Sequence, residues 1–99
     1  MNEVEFRNWL VSSGVHSKVI SDIISRIKRI EREIGNCDID EQYRSDKCER
    51  LLLIFSKMGT NAEMKKEGQV DLPIGKYYMN TYRHAIKQYI LFKETSNLL

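Results

Sequence analysis

Two sets of basic and polar residues recur at helical spacing and could bind phosphate groups. In SKVISDIISRIKRIER, residues 17–32, a helix turning about 100° per residue brings one set into a single sector. Its members are Lys18, Ser21, Ser25, Lys28, Arg29 and Arg32. Cations in a row neutralise phosphates and release counterions, and serine hydroxyls add hydrogen bonds. This pattern is typical of a phosphate-binding face, although a solvated surface is the plainer interpretation.

A second polar stripe lies near the end of the chain, at spacing i, i+4, i+7 and i+11. Its members are Lys76, Asn80, Arg83 and Lys87. The chain carries a formal charge of only +2, but that charge is unevenly distributed. From residue 76 onward there are four Lys or Arg and one Glu, whereas residues 36–75 hold six Lys or Arg and eight Asp or Glu. No helix-turn-helix pattern with a short turn is present, so the stripes predict phosphate contacts rather than base reading.

Other reactive side chains have no partners at the spacing that catalysis or metal binding requires. Asp38, Asp40 and Glu41 stand close together, but an EF-hand loop needs further ligands and a central glycine. We therefore expect a solvated, helix-capping connector there.

The histidines and cysteines are equally isolated in the sequence. His16 and His84 are far apart and have no evident Ser, Cys or Asp partner for a nucleophile–base pair. Cys37 and Cys48 form no CxxC motif and have no histidine at ligand spacing. The sequence predicts two free thiols, no metal, no cofactor and no enzymatic activity.

Helices are predicted to position both stripes. The first helix should run from about Glu3 to Ser12 and stop at Gly14 in the left-handed conformation. Ser17 should cap the second helix, which ends at Gly35 and Asn36. That helix carries an apolar stripe formed by Ile20, Ile23, Ile24, Ile27, Ile30 and Ile34.

The sequence of the second half of the chain predicts two more helices. After the acidic connector, which has room for a turn of helix, a third helix should begin at a cap on Asp46 and reach Met58. Residues 59–75 are typical of a loop, with room for a brief helix at 62–67. The last helix should run from about Lys76 to Lys93. Because no strand or hairpin signal competes, we predict an all-α, compact four-helix bundle forming a single domain over residues 1–99.

The order of these features resembles a known DNA-binding module. The FxxWL core at residues 6–10, the following glycine and NTYRHAIKQYILF at residues 80–92 are similar to the N-terminal SAM-like, core-binding domain of tyrosine recombinases and phage integrases. The best local match comprises Tyr82, Arg83, Ala85, Ile86, Tyr89 and Phe92. A similar helical module precedes nuclease domains in some bacterial restriction proteins. The likeness covers about residues 5–92.

The resemblance implies duplex DNA binding without chemistry. In that family the module forms half of a clamp on DNA, and catalysis belongs to a separate C-terminal domain. The family's catalytic arginines, its His-x-x-Arg element and its nucleophilic tyrosine have no counterpart here, and Arg83-His84 does not reproduce them. The implied partners are DNA and a C-terminal catalytic domain of the same gene product.

A protein-interaction module is the alternative prediction. Near-neutral charge and the apolar loop residues Met64, Val70, Leu72 and Ile74, which need a cover, would suit a phage or mobile-element protein that binds a nuclease or self-associates. The longest apolar run, LLLIF at residues 51–55, is too short to span a bilayer, and no signal-peptide pattern opens the chain. We therefore expect a cytoplasmic protein without membrane contact.

Overall fold

The computed structural model describes residues 1–34, 37–56 and 76–97, and every regular element in these ranges is an α-helix. The helices are α1 (Glu3–Ser12), α2 (Ser17–Glu33), α3 (Ile39–Asp46), α4 (Glu49–Ile54) and α5 (Lys76–Asn97). The predicted all-α fold class is therefore confirmed. The described ranges contain five helices where four were expected, because the acidic connector forms a helix of its own, α3, before the predicted third helix.

Helices α2 and α5 form the centre of the fold, since each turns a complete apolar face to one shared core. All six isoleucines of the predicted stripe are buried. From α5 the core receives Met79, Tyr82, Ala85, Ile86, Tyr89 and Phe92. Helix α1 packs against both α2 and α5. Its Phe6 is fully buried and meets the Tyr89 ring edge-on, with 4.8 Å between the ring centroids.

The first two helices follow their predicted course, with one correction at the start of α2. The predicted bounds of α1 are confirmed, and Gly14 has the left-handed φ of +83°. The N-cap of α2 is His16 rather than Ser17, because the imidazole Nδ1 accepts the backbone N–H of Lys18 at 3.2 Å. Ser17 is instead the first helical residue. The predicted end at Gly35 and Asn36 lies outside the described residues.

The predicted bounds of the third helix are wrong. Asp46 was expected to cap it but is the last residue of α3, and α4 starts only at Glu49. Helix α4 also ends at Ile54, four residues before the predicted end at Met58. Helix α3 begins after Asp38, whose Oδ1 accepts the N–H of Asp40 at 3.0 Å. The acidic connector is thus a helix start, where carboxylates stabilise the free N–H groups. The Asp46 carboxylate does bind the first turn of α4, accepting the Arg50 N–H at 3.0 Å.

The last helix is longer than predicted, since α5 continues past Lys93 to Asn97. Several predictions fall outside the described residues: the loop over 59–75, the brief helix at 62–67 and the apolar loop residues. None of the helices in the described ranges is long and apolar enough to cross a membrane.

Candidate nucleic-acid interface

The predicted phosphate-binding residues of α2 lie on the outer side of that helix, opposite the isoleucines. Five are exposed and Arg29 is half-buried. At 1.5 Å per residue, the row from Lys18 to Arg32 spans about 21 Å. We call Lys18, Ser21, Ser25, Lys28, Arg29 and Arg32 the α2 face. Its orientation follows from the apolar stripe, because the core fixes which side of the helix meets solvent.

Carboxylates near the end of α2 are drawn away from this face into a separate cluster. Glu31 Oε2 accepts a hydrogen bond from the Met1 ammonium at 2.9 Å and another from the Ile39 N–H at 3.0 Å. Asp38 Oδ1 and Asp40 Oδ2 lie 3.1 Å and 3.7 Å from the same ammonium nitrogen. These three acids thus share the Met1 ammonium and backbone N–H groups, and among the described residues none of them is paired with a cation of the α2 face.

Lys28 and Arg32 of the α2 face form exposed ion pairs. Lys28 Nζ lies 2.9 Å from Glu3 Oε1 on α1, and Arg32 Nε lies 3.4 Å from Glu33 Oε1. The other oxygen of Glu3 lies 3.5 Å from Arg7 Nη2. The hydrogen bond from Lys28, assisted by Arg7, lowers the pKa of Glu3. Exposed pairs of this kind contribute little to stability and are open to exchange with other ions.

Sequence reasoning missed Glu3 and Arg7 because their role depends on how α1 packs against α2. The i,i+4 spacing of Glu3 and Arg7 is visible in the sequence as an ordinary helical pair. The contact with Lys28 joins residues from different helices, and nothing in the local pattern marks it.

The second predicted set lies on the outer side of α5. Asn80 and Lys87 are exposed, and Arg83 is half-buried. Arg83 Nη2 donates a hydrogen bond to Asn80 Oδ1, whereas Arg83 Nε is buried without a hydrogen-bond partner among the described residues. The side chain of Lys76 lies outside what the structure describes. Arg83 is thus held against the protein more closely than a freely solvated cation.

The two sets lie on the far sides of their helices from the common core. Because α2 and α5 pack through their apolar faces, the outward directions of the two polar sets diverge. Divergent faces do not make one continuous patch, so the α2 face and the α5 stripe are separate surfaces.

The cysteines and histidines add no reactive group to either surface. Cys37 is half-buried and Cys48 is buried, and both thiols are free. Burial raises the pKa of Cys37 to about 11 and that of Cys48 to about 12, so both stay protonated near neutral pH. His84 is exposed on α5. In the described ranges no group of three or more His, Cys, Asp or Glu is placed to hold a metal ion.

Comparison with known proteins adds no relative to this description. No family model matches the chain, and neither the curated proteins nor the solved structures contain a significant match. The likeness to the core-binding domain of recombinases therefore stays a prediction from the sequence.

Proposed function

We propose that the protein is a non-catalytic DNA-binding module that holds the duplex backbone through the α2 face. The observation that supports this proposal is the separation of charge on α2. Lys18, Lys28 and Arg32 point to solvent, while Glu31 is bound to the Met1 ammonium. A row of four cations with interspersed serine hydroxyls over about 21 Å supplies the ion pairs and hydrogen bonds that phosphates accept.

The stripe on α5 has a secondary role in this proposal. Asn80, Arg83 and Lys87 face away from the α2 face, so a straight duplex lying on α2 does not reach them. They are available to a bent duplex or to a second one. We therefore expect variants on α5 to weaken binding less than variants on α2.

The resemblance to recombinase and integrase core-binding domains supports a place in DNA integration by a mobile element. The module would then act in the cytoplasm beside a separate catalytic domain of a recombinase or nuclease. This assignment follows the sequence likeness, whereas the proposed contact surface follows the exposure and charge of α2.

Fluorescence anisotropy of a labelled generic duplex at several salt concentrations tests the proposal. Four phosphate contacts predict that the logarithm of the binding constant falls against the logarithm of salt with a slope of about −4. No binding even at low salt would refute DNA binding by this protein.

Charge reversal at matched positions tests the surface. Arg32→Glu should weaken binding strongly, because it places a carboxylate on the α2 face. Arg44→Glu makes the same change in net charge at an exposed position of α3 and should have a much smaller effect. Equal effects of the two variants would mean that duplex binding depends on net charge alone and would contradict the α2 face as the contact surface. Circular dichroism and thermal unfolding establish that both variants are folded.

The protein-interaction alternative depends on Met64, Val70, Leu72 and Ile74, which all lie outside the described residues. Within the described ranges the exposed large hydrophobic residues are Val4, Val11, Val19, Leu53 and Leu91. They are spread over four helices, and scattered apolar residues are normal on protein surfaces. This alternative is the one to pursue, by sedimentation and pull-down, if duplex binding is absent.

A further inference from the structure

Two cations from different helices converge on one carboxylate at the edge of the α2 face. Lys28 of α2 lies 2.9 Å from one oxygen of Glu3, and Arg7 of α1 lies 3.5 Å from the other. All three side chains are accessible, with 36% of Glu3, 54% of Lys28 and 45% of Arg7 exposed. The two cations are thus gathered around one anionic group that a ligand can reach.

The chemistry of this arrangement suits a phosphate. Arg guanidinium groups and Lys ammonium groups bind phosphate and carboxylate oxygens with the same donors, so one anion can replace the other. We propose that Glu3 occupies a phosphodiester subsite formed by Arg7 and Lys28, and that a DNA phosphate displaces Glu3 when a duplex binds the α2 face. This inference rests on the proposed function, and it adds Arg7 as a DNA contact and Glu3 as an internal competitor.

The energetics favour exchange at this position. Exposed ion pairs are screened by water and hold their partners weakly, so displacing Glu3 costs little. A bound phosphate brings the additional gain from counterion release, which the Glu3 carboxylate does not provide. After displacement Glu3 remains a negative charge close to the DNA. Glu3 therefore lowers the affinity for DNA in two ways: it competes for Lys28 and Arg7 when paired with them, and it repels the phosphates once displaced.

Neutralising Glu3 tests this competition, with Glu5 as the matched control. Glu3→Gln and Glu5→Gln make the same change in net charge on the same helix, but the two residues lie about 160° apart around α1. We expect Glu3→Gln to tighten duplex binding about three-fold or more at low salt, and Glu5→Gln to change it less than about two-fold. Equal tightening by both variants would overturn the inference, because it would reflect general charge alone.

A second variant tests the proposed phosphate contact of Arg7. Arg7→Gln should weaken binding and reduce the steepness of the salt dependence by about 1, as the loss of one phosphate contact requires. An unchanged salt slope would overturn the assignment of Arg7. Thermal unfolding of each variant checks that the fold is retained.

These experiments separate the two proposals. If the wild-type protein and Glu3→Gln both fail to bind duplex at low salt, the proposed function is refuted and the subsite with it. If the wild-type protein binds and Arg32→Glu weakens it, but Glu3→Gln behaves like Glu5→Gln, only the subsite is refuted.

Discussion

The hydroxyl of Tyr89 on α5 donates a hydrogen bond to the carboxylate of Asp40 on α3, 49 residues earlier in the chain. The same hydroxyl oxygen accepts the backbone N–H of Asn2 at 2.8 Å. Asp40 also lies 3.3 Å from Lys93 Nζ. Tyr89 thus joins the start of the chain to α3 and α5, and it lies beside the cluster in which the Met1 ammonium meets Glu31, Asp38 and Asp40.

Removing the Tyr89 hydroxyl should destabilise the fold. Tyr89→Phe keeps the buried ring but leaves the Asn2 N–H and the Asp40 carboxylate without this partner. We expect the free energy of unfolding to fall by roughly 1 to 3 kcal/mol, as is usual when a hydrogen bond to a charged group is lost. Urea denaturation measures it, with Tyr43→Phe on α3 as the control for loss of a tyrosine hydroxyl. A loss no larger than that of the control would contradict the linking role of Tyr89.

The cluster around the Met1 ammonium predicts how stability depends on pH. Burial alone would lower the pKa of the ammonium, but hydrogen bonds to Glu31 and Asp38 outweigh it and raise that pKa. Burial would raise the pKa of Asp38, but its bonds to the ammonium and the Asp40 N–H lower it. The ammonium therefore stabilises the fold fully below about pH 8 and loses this effect as pH rises through its raised pKa. Asp38 stabilises the fold above about pH 4 and loses its effect as pH falls through its lowered pKa.

Thermal unfolding measured from acid to alkaline pH at low salt checks the pH range over which the ammonium and Asp38 both stabilise the fold. The midpoint should be highest between about pH 4 and pH 8 and should fall on both sides. In Asp38→Asn the contribution of this cluster should shrink on both sides, because the ammonium loses one of its carboxylates. A pH profile of Asp38→Asn identical to that of the wild-type protein would show that the cluster does not contribute.

The turn between α3 and α4 offers a stabilising substitution. Lys47 has a φ of +57°, a left-handed conformation that costs a side chain-bearing residue roughly 1 kcal/mol. Lys47 is exposed, so Lys47→Gly removes this strain without losing burial. Glycine also makes the unfolded chain more flexible, which offsets part of this gain. We therefore expect the unfolding free energy to rise by roughly 0.5 kcal/mol. Arg44→Gly within α3 should instead lower the unfolding free energy by about 1 kcal/mol. Urea denaturation shows whether each substitution raises or lowers that free energy.

The thiols should be poorly reactive in the folded protein. Because the pKa of Cys37 is raised to about 11 and that of Cys48 to about 12, little thiolate is present at pH 8. A thiol-specific disulfide reagent should modify both slowly in the native state, Cys48 more slowly since it is fully buried. Both should react rapidly in urea. Fast modification of either thiol in the native state would contradict the burial described for it.

The long helices could be predicted from the sequence, whereas the region between them could not. Isoleucines at helical spacing predict α2 and its buried side without further information, because the 3.6-residue period is local. The split between α3 and α4 has no such signal. Lys47 and Cys48 adopt left-handed conformations that the sequence would normally assign to glycine, and burial of Ile39 and Cys48 holds them there.

In the candidate interface, too, one part could be predicted from the sequence and another could not. The sequence by itself determined that Lys18, Lys28 and Arg32 share one outward sector, since helical periodicity orders side chains around a single axis. Only the tertiary structure decided that Glu31 turns to the Met1 ammonium and that Glu3 joins Lys28 to Arg7. Such pairings depend on distances between separate elements, which follow from packing of the whole core and not from any local repeat.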